Sequence, residues 1–198
     1  MDDDDDGQAG ANDGYDGDDG GQAGAAGATL VTQIATVLMK PCCQSIDFTW
    51  ANFHASGGGY SQIVSALQAD PPTITASTAD LPGGIAARYY YNSKTIVMGT
   101  GWAPGDAISE MGVVHECTHA LQDMNGYPIN DDSDASAYLA GAIYYLYFNN
   151  GSFILPVTIN PIFLAALTVA KQVWHNQGQA VAPSVMQPLT SALASNPH

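Results

Sequence analysis

The chain has 198 residues, enough for one domain with a sizeable core, and carries four basic against nineteen acidic residues, a net charge of −15. Nine of the acids (Asp2 to Asp6, Asp13, Asp16, Asp18 and Asp19) fall in the first 27 residues, leaving ten acids and four bases in the rest. With only Lys40, Arg88, Lys94 and Lys171 as cations there is no basic patch, which argues against nucleic-acid binding.

Residues 1–27 are Gly, Ala and Asp with little else, so they bury too little to offset their ordering entropy. They are expected to form a disordered acidic tail ahead of a single domain over 28–198. Asp2, Asp4, Asp6, Gly7 and Asp13 match the spacing of a calcium loop. A poly-Asp run generates that match unaided, so a solvated tail is the expectation. Three cysteines make no disulfide framework, because Cys42 and Cys43 are adjacent and Cys117 stands alone. No basic-then-apolar leader opens the sequence, which is the pattern of a cytoplasmic protein or one exported without a leader.

Apolar residues at Leu30, Val31, Ile34, Val37 and Leu38 have helical spacing over Thr29 to Met39, and Pro41 ends that helix. Gly57-Gly58-Gly59 reads as a turn, Tyr60 to Leu67 as a short helix, and Thr73 to Thr78 as a strand. Ala86 to Tyr91 and Thr95 to Met98 are β-prone runs separated by Asn92-Ser93-Lys94, the pattern of a hairpin. A helix follows, with Asp106 as its N-cap, Glu110 suited to its positive end and Gly126 placed to end it. From Ala135 to His198 the only formal charge is Lys171. Ala135 to Phe148 and Phe163 to Trp174 read as buried helices, the first too short to span a membrane and the second preceded by Pro156 and Pro161.

The helix after Asp106 carries the informative string, His115-Glu116-Cys117-Thr118-His119. Glutamate occurs only twice in the chain and histidine five times, so this is a dense use of scarce residues. Histidines four apart on a helix point the same way and can share one metal ion. The glutamate between them stands where it can take a proton from a water on that metal. At about 100° per residue, Val113, Val114, Cys117, Ala120, Leu121 and Met124 form an apolar stripe, while His115, His119, Gly112, Asp123 and Glu116 share the opposite face. Gly112 there leaves room beside the histidines. Cys117 points away from them and reads as a core thiol. Cys42, Cys43 and His54 form no stronger thiol-enzyme signal.

A catalytic zinc takes three protein ligands and one open position. No glutamate follows Glu116, so the third ligand comes from the later aspartates or His175 and His198. Asp123 lies about 12 Å along the helix axis from His115, too far for one ion to hold both, and suits a hydrogen bond to the His119 ring instead. Asp134 is the first choice because it opens the next apolar helix; Asp132 and His175 follow. Capping of that helix by Asp131, Asp132 and Asp134 competes with ligation.

From about Ile85 to Ala142 the chain resembles the zincin class of metallopeptidases. The resemblance rests on the hairpin through Tyr89-Tyr90-Tyr91 and Thr95-Ile96-Val97, the helix with Val113-Val114-His115-Glu116-Cys117-Thr118-His119-Ala120-Leu121, and the helix opening at Asp134-Ala135-Ser136-Ala137-Tyr138. It implies an α+β fold: a small, mostly antiparallel sheet with an edge hairpin, the motif helix and further C-terminal core helices. In zincins with a carboxylate third ligand, that residue comes from the helix after the motif, which suits Asp134. The chain departs from the class at three points. Its ligand is not glutamate, Gln122 stands where an extended motif has glycine, and the Gly-Thr-x-x-Asp motif is missing.

The resemblance implies Zn²⁺ held by His115, His119 and Asp134, with Glu116 as general base in peptide-bond hydrolysis. Tyr127, Tyr138 or His175 would supply the oxyanion donor, and the edge strand would pair with an extended peptide or protein substrate. The alternative from another class is a non-catalytic zinc-binding interaction protein with the same fold. Its supporting features are the unusual aspartate ligand and the charge-poor C-terminal third.

Overall fold

The computed structural model describes residues 20–82, 85–152 and 160–196, with side chains from Thr29 onward. Of the expected acidic tail, residues 1–19 lie outside this description, as does His198. The elements in order are α1 (Gly20–Leu38), α2 (Pro41–Gln44), β1 (Asp47–Trp50), β2 (Phe53–Ser56), α3 (Gly57–Gln68), β3 (Thr75–Ala79), β4 (Ala87–Tyr90), β5 (Thr95–Gly99), α4 (Ala107–Met124), α5 (Asp131–Phe148), α6 (Pro161–Val173) and α7 (Pro183–Ser195). Among the described residues the architecture is therefore α+β. No described helix is long and apolar enough to cross a membrane.

The sheets are small. β1 and β2 form an antiparallel hairpin, and the second sheet has the order β3-β5-β4. β4 pairs antiparallel with β5, as the hairpin pattern predicts, but β3 pairs with β5 in parallel. The sheet is thus mixed rather than mostly antiparallel. β3 and β5 run in the same direction because the antiparallel β4 lies between them in the chain, with Thr75 Oγ1 and Thr95 Oγ1 bonded across at 2.9 Å. β4 is left at the edge, packed over α4.

The glycine triplet is not a turn. Gly57 to Gly59 form the first turn of α3, capped by Ser56, whose hydroxyl accepts from Gly59 N. A Cβ at Gly57 would stand 2.3 Å from the Gln44 carbonyl oxygen, and one at Gly59 would stand 2.5 Å from Leu121 Cδ2. Glycine here permits close packing of α3 on α2 and α4, and the N-cap offsets its poor helix propensity.

α5 explains the charge-free sequence. Every residue from Ala135 to Leu146 but the half-exposed Tyr138 is buried, because α5 packs on α4, α6, α7, α2 and β2 together. α5 begins earlier than the apolar run suggests, at Asp131, with Asn130 as N-cap in a capping box with Ser133. α4 is capped as expected: Asp106 accepts from Ile108 N at 3.0 Å and Ser109 N at 3.2 Å. It ends before Gly126, whose φ of +66° suits glycine.

The first turn of α4 also holds a buried ion pair. Glu110, fully buried, lies with both carboxylate oxygens 2.6 Å from Lys40 Nζ. It accepts further from Gly105 N at 2.7 Å and from the Tyr144 hydroxyl of α5. The sequence assigned Glu110 only a helix-dipole role; here it ties the α1–α2 junction, the start of α4 and α5 together.

Candidate metal centre

The two helices bring together most of what the sequence selects. His115 and His119 sit one turn apart on α4 with their Nε2 atoms 3.2 Å apart. Asp134, from the first turns of α5, places Oδ1 3.3 Å from His119 Nε2. Glu116 Oε1 lies 3.9 Å from His115 Nε2, while Oε2 accepts from Tyr89 N in β4 at 2.7 Å. These residues line a cleft of about 400 Å³ with β4 along one wall and Tyr138, Met111, Ile129 and Phe163 among its other lining residues. Gly112 lines it too, and a Cβ there would meet Ala86 Cβ at an ordinary 3.5 Å. The glycine widens the cleft without being demanded by the protein's own packing.

The donors are of the kind zinc takes, and two of their three pair distances match its spacing. Ligands at ~2.0–2.1 Å in a tetrahedron stand ~3.3 Å from one another, and the two distances centred on His119 Nε2 are 3.2 and 3.3 Å. Among the described residues, no group of three or more His, Cys, Asp or Glu side chains is placed to hold a metal ion. His119 is instead the shared member of a row, His115–His119–Asp134. The Asp134 side chain is 37% exposed.

Asp134 is not occupied as a cap, because Asn130 and Ser133 perform that task. Asp132 is engaged elsewhere: its Oδ1 accepts from Trp50 Nε1 at 3.2 Å. His175 stacks on Trp174 and does not line the cleft. We therefore expect Asp134→Ala to weaken zinc binding by ~10-fold or more, and Asp132→Ala to leave it near wild type, measured by competition with a chelating dye. Wild-type affinity in Asp134→Ala would remove it from the ligand set.

Around the histidines, the structure corrects one sequence assignment. Asp123 does not hold the His119 ring; its Oδ2 accepts from the Tyr89 hydroxyl at 2.7 Å. The His119 ring is held by Gln122, with Oε1 2.9 Å from Nδ1, and by the Tyr91 hydroxyl, also 2.9 Å from Nδ1. Gln122 lies three residues beyond His119 on the same face, a spacing that makes side-chain contact on any helix. That spacing was the available signal. Tyr138 packs edge-on against His115, ring centroids 4.5 Å apart. Of the other oxyanion candidates, Tyr127 donates to the Ala51 carbonyl at 2.6 Å and lies outside the cleft lining, as does His175.

The electrostatics are those of a crowded, half-dry site. Burial raises the Glu116 carboxyl above its usual range, with His119, the Tyr89 N–H and Arg88 working against the rise. Burial lowers His119, but its bond to Asp134 and the nearby Glu116 charge outweigh that and raise it overall. Burial also pushes the Tyr138 hydroxyl up to about 12, so it stays protonated at neutral pH. Cys117 is fully buried and its thiol is raised by that burial, the behaviour of a core residue. Comparison with known proteins finds no matching family model, no matching curated relative and no matching solved structure.

Proposed function

We propose that the protein is a zinc-dependent peptidase of zincin-like fold, with His115, His119 and Asp134 holding the metal and Glu116 acting as general base. The observation that carries this reading is the meeting of His115 Nε2, His119 Nε2 and Asp134 Oδ1 beside Glu116 in one cleft. Zinc held there would bring a water's pKa toward neutrality and polarise a scissile carbonyl.

The chain's own residues supply the rest. Glu116, already favouring its protonated form more than a surface carboxyl does, takes the water's proton and passes it to the leaving amine. Tyr89 N–H fixes one oxygen of Glu116, so the other is the one that works. Tyr138, one turn beyond Asp134, donates a hydrogen bond from its hydroxyl to the developing oxyanion. On β4, the Ala86 carbonyl accepts from Gly99 N toward β5, so the backbone groups of Ala87 face away from β5. An extended peptide pairing with that edge would lie along the cleft.

The experiment is metal removal. Stripping zinc with a chelator should abolish hydrolysis of an unfolded protein, and one equivalent of zinc per chain should restore it. Hydrolysis that survives complete removal of metal would sink the proposal. Zinc binding without any hydrolysis would leave the non-catalytic zinc-binding alternative.

A further inference from the structure

We propose that Gln122 is a positioning residue: its side-chain amide locks His119 in the tautomer protonated at Nδ1, which leaves Nε2 as a lone pair facing His115 and Asp134. The inference rests on the zinc-site reading for its purpose, but its geometry stands apart from it.

The amide has a fixed direction. Gln122 is buried, and one end of its amide lies 2.9 Å from the Ser133 carbonyl oxygen. A carbonyl only accepts, so that end must be the NH₂. The other end, 2.9 Å from His119 Nδ1, is then the amide oxygen, which also only accepts. Two lone pairs at that distance in a buried site would repel, so Nδ1 must carry the proton. The Tyr91 hydroxyl, 2.9 Å from the same nitrogen, can share that proton through its oxygen. Which nitrogen of a histidine is protonated follows from the bond the other nitrogen makes. Here that bond is dictated two steps away, by a main-chain carbonyl.

The carbonyl belongs to Ser133, the residue before Asp134. One amide therefore sets the presented nitrogen of one expected ligand and anchors the backbone beside another. It joins the end of α4 to the first turn of α5, so the ring and the carboxylate keep their relation. A glycine or alanine at position 122 would leave both undetermined.

The test reads the ring directly. In ¹⁵N-labelled, metal-free protein at alkaline pH, where the imidazole is neutral, long-range ¹⁵N–¹H correlation reports the His119 tautomer, assigned by comparison with His119→Asn. We expect Nδ1–H in the wild type and in Tyr91→Phe, and a shift toward Nε2–H in Gln122→Leu. Gln122→Glu keeps the acceptor and should keep the tautomer while losing the bond to Ser133. Zinc affinity should fall ~10–100-fold in Gln122→Leu. A wild type with Nε2–H would overturn the proposal even if Gln122→Leu did not fold. So would a Gln122→Leu variant with wild-type tautomer and affinity, or a shift in Tyr91→Phe with none in Gln122→Leu. If the tautomer behaves as expected but wild type binds no zinc, the clasp stands and the zinc-site reading fails.

Discussion

Glu116→Gln should keep its zinc and lose at least ~10²-fold in the rate of peptide hydrolysis. The two halves of this outcome have separate causes. The proposed metal donors are on His115, His119 and Asp134, and the amide of glutamine keeps the acceptor that Tyr89 N–H uses. What it cannot do is accept a proton. Steady-state turnover on an unfolded protein, with zinc content measured on the same sample, checks both. Wild-type turnover would remove Glu116 from the chemistry, and lost zinc would make it a ligand. The variant also separates a peptidase from a zinc-binding protein, because only a peptidase has a rate to lose.

Lys40→Met should destabilise the fold by about 3–5 kcal/mol, the cost of leaving a buried carboxylate without its partner. Glu110 has no solvent exposure, whereas Lys40 is 28% exposed, so the penalty falls on the acid left behind. The remaining donors, Gly105 N and the Tyr144 hydroxyl, bring the cost toward the lower end. Lys40→Met with Glu110→Leu should recover part of the loss, since the unpaired carboxylate is gone, while Gly105 N–H and the Tyr144 hydroxyl still lose their acceptor. Urea unfolding of the single and double variants decides it. A single variant within about 0.5 kcal/mol of wild type would show that the pair contributes no more than an exposed one. Because Glu110 sits in the first turn of α4, the single variant should also loosen the helix that carries His115 and His119.

The sequence shows α4 plainly because one element contains everything needed to read it: an N-cap at Asp106, a stop at Gly126, and a polar face opposite an apolar stripe. The hairpin of β4 and β5 is legible for the same local reason. What escapes is set by distance along the chain. Glycines at 57 and 59 look like a turn until Gln44 and Leu121 are seen pressing on them. The parallel partner of β5 is twenty residues earlier, and nothing in Thr75 to Ala79 announces a parallel pairing. The β1–β2 hairpin reverses at Ala51 and Asn52, with φ of +46° and +70°, and no glycine marks it. α7 carries Pro188 within it, which weakens the helical pattern. In the site, elimination led to Asp134, and the structure adds the reason Asp132 differs: Trp50 of β1 holds it. Gln122 reads in the sequence only as a mismatch to a glycine, although its spacing from His119 points to the contact it makes.

The zinc content of the purified chain beside that of the His115→Ala, His119→Ala double variant is the most direct measurement. Elemental analysis after incubation with zinc and removal of excess, with folding checked by circular dichroism, should give about one zinc per wild-type chain and essentially none in the variant. Stoichiometric zinc retained by the folded double variant, or a wild type that takes up none, would contradict a metal centre built on these two histidines.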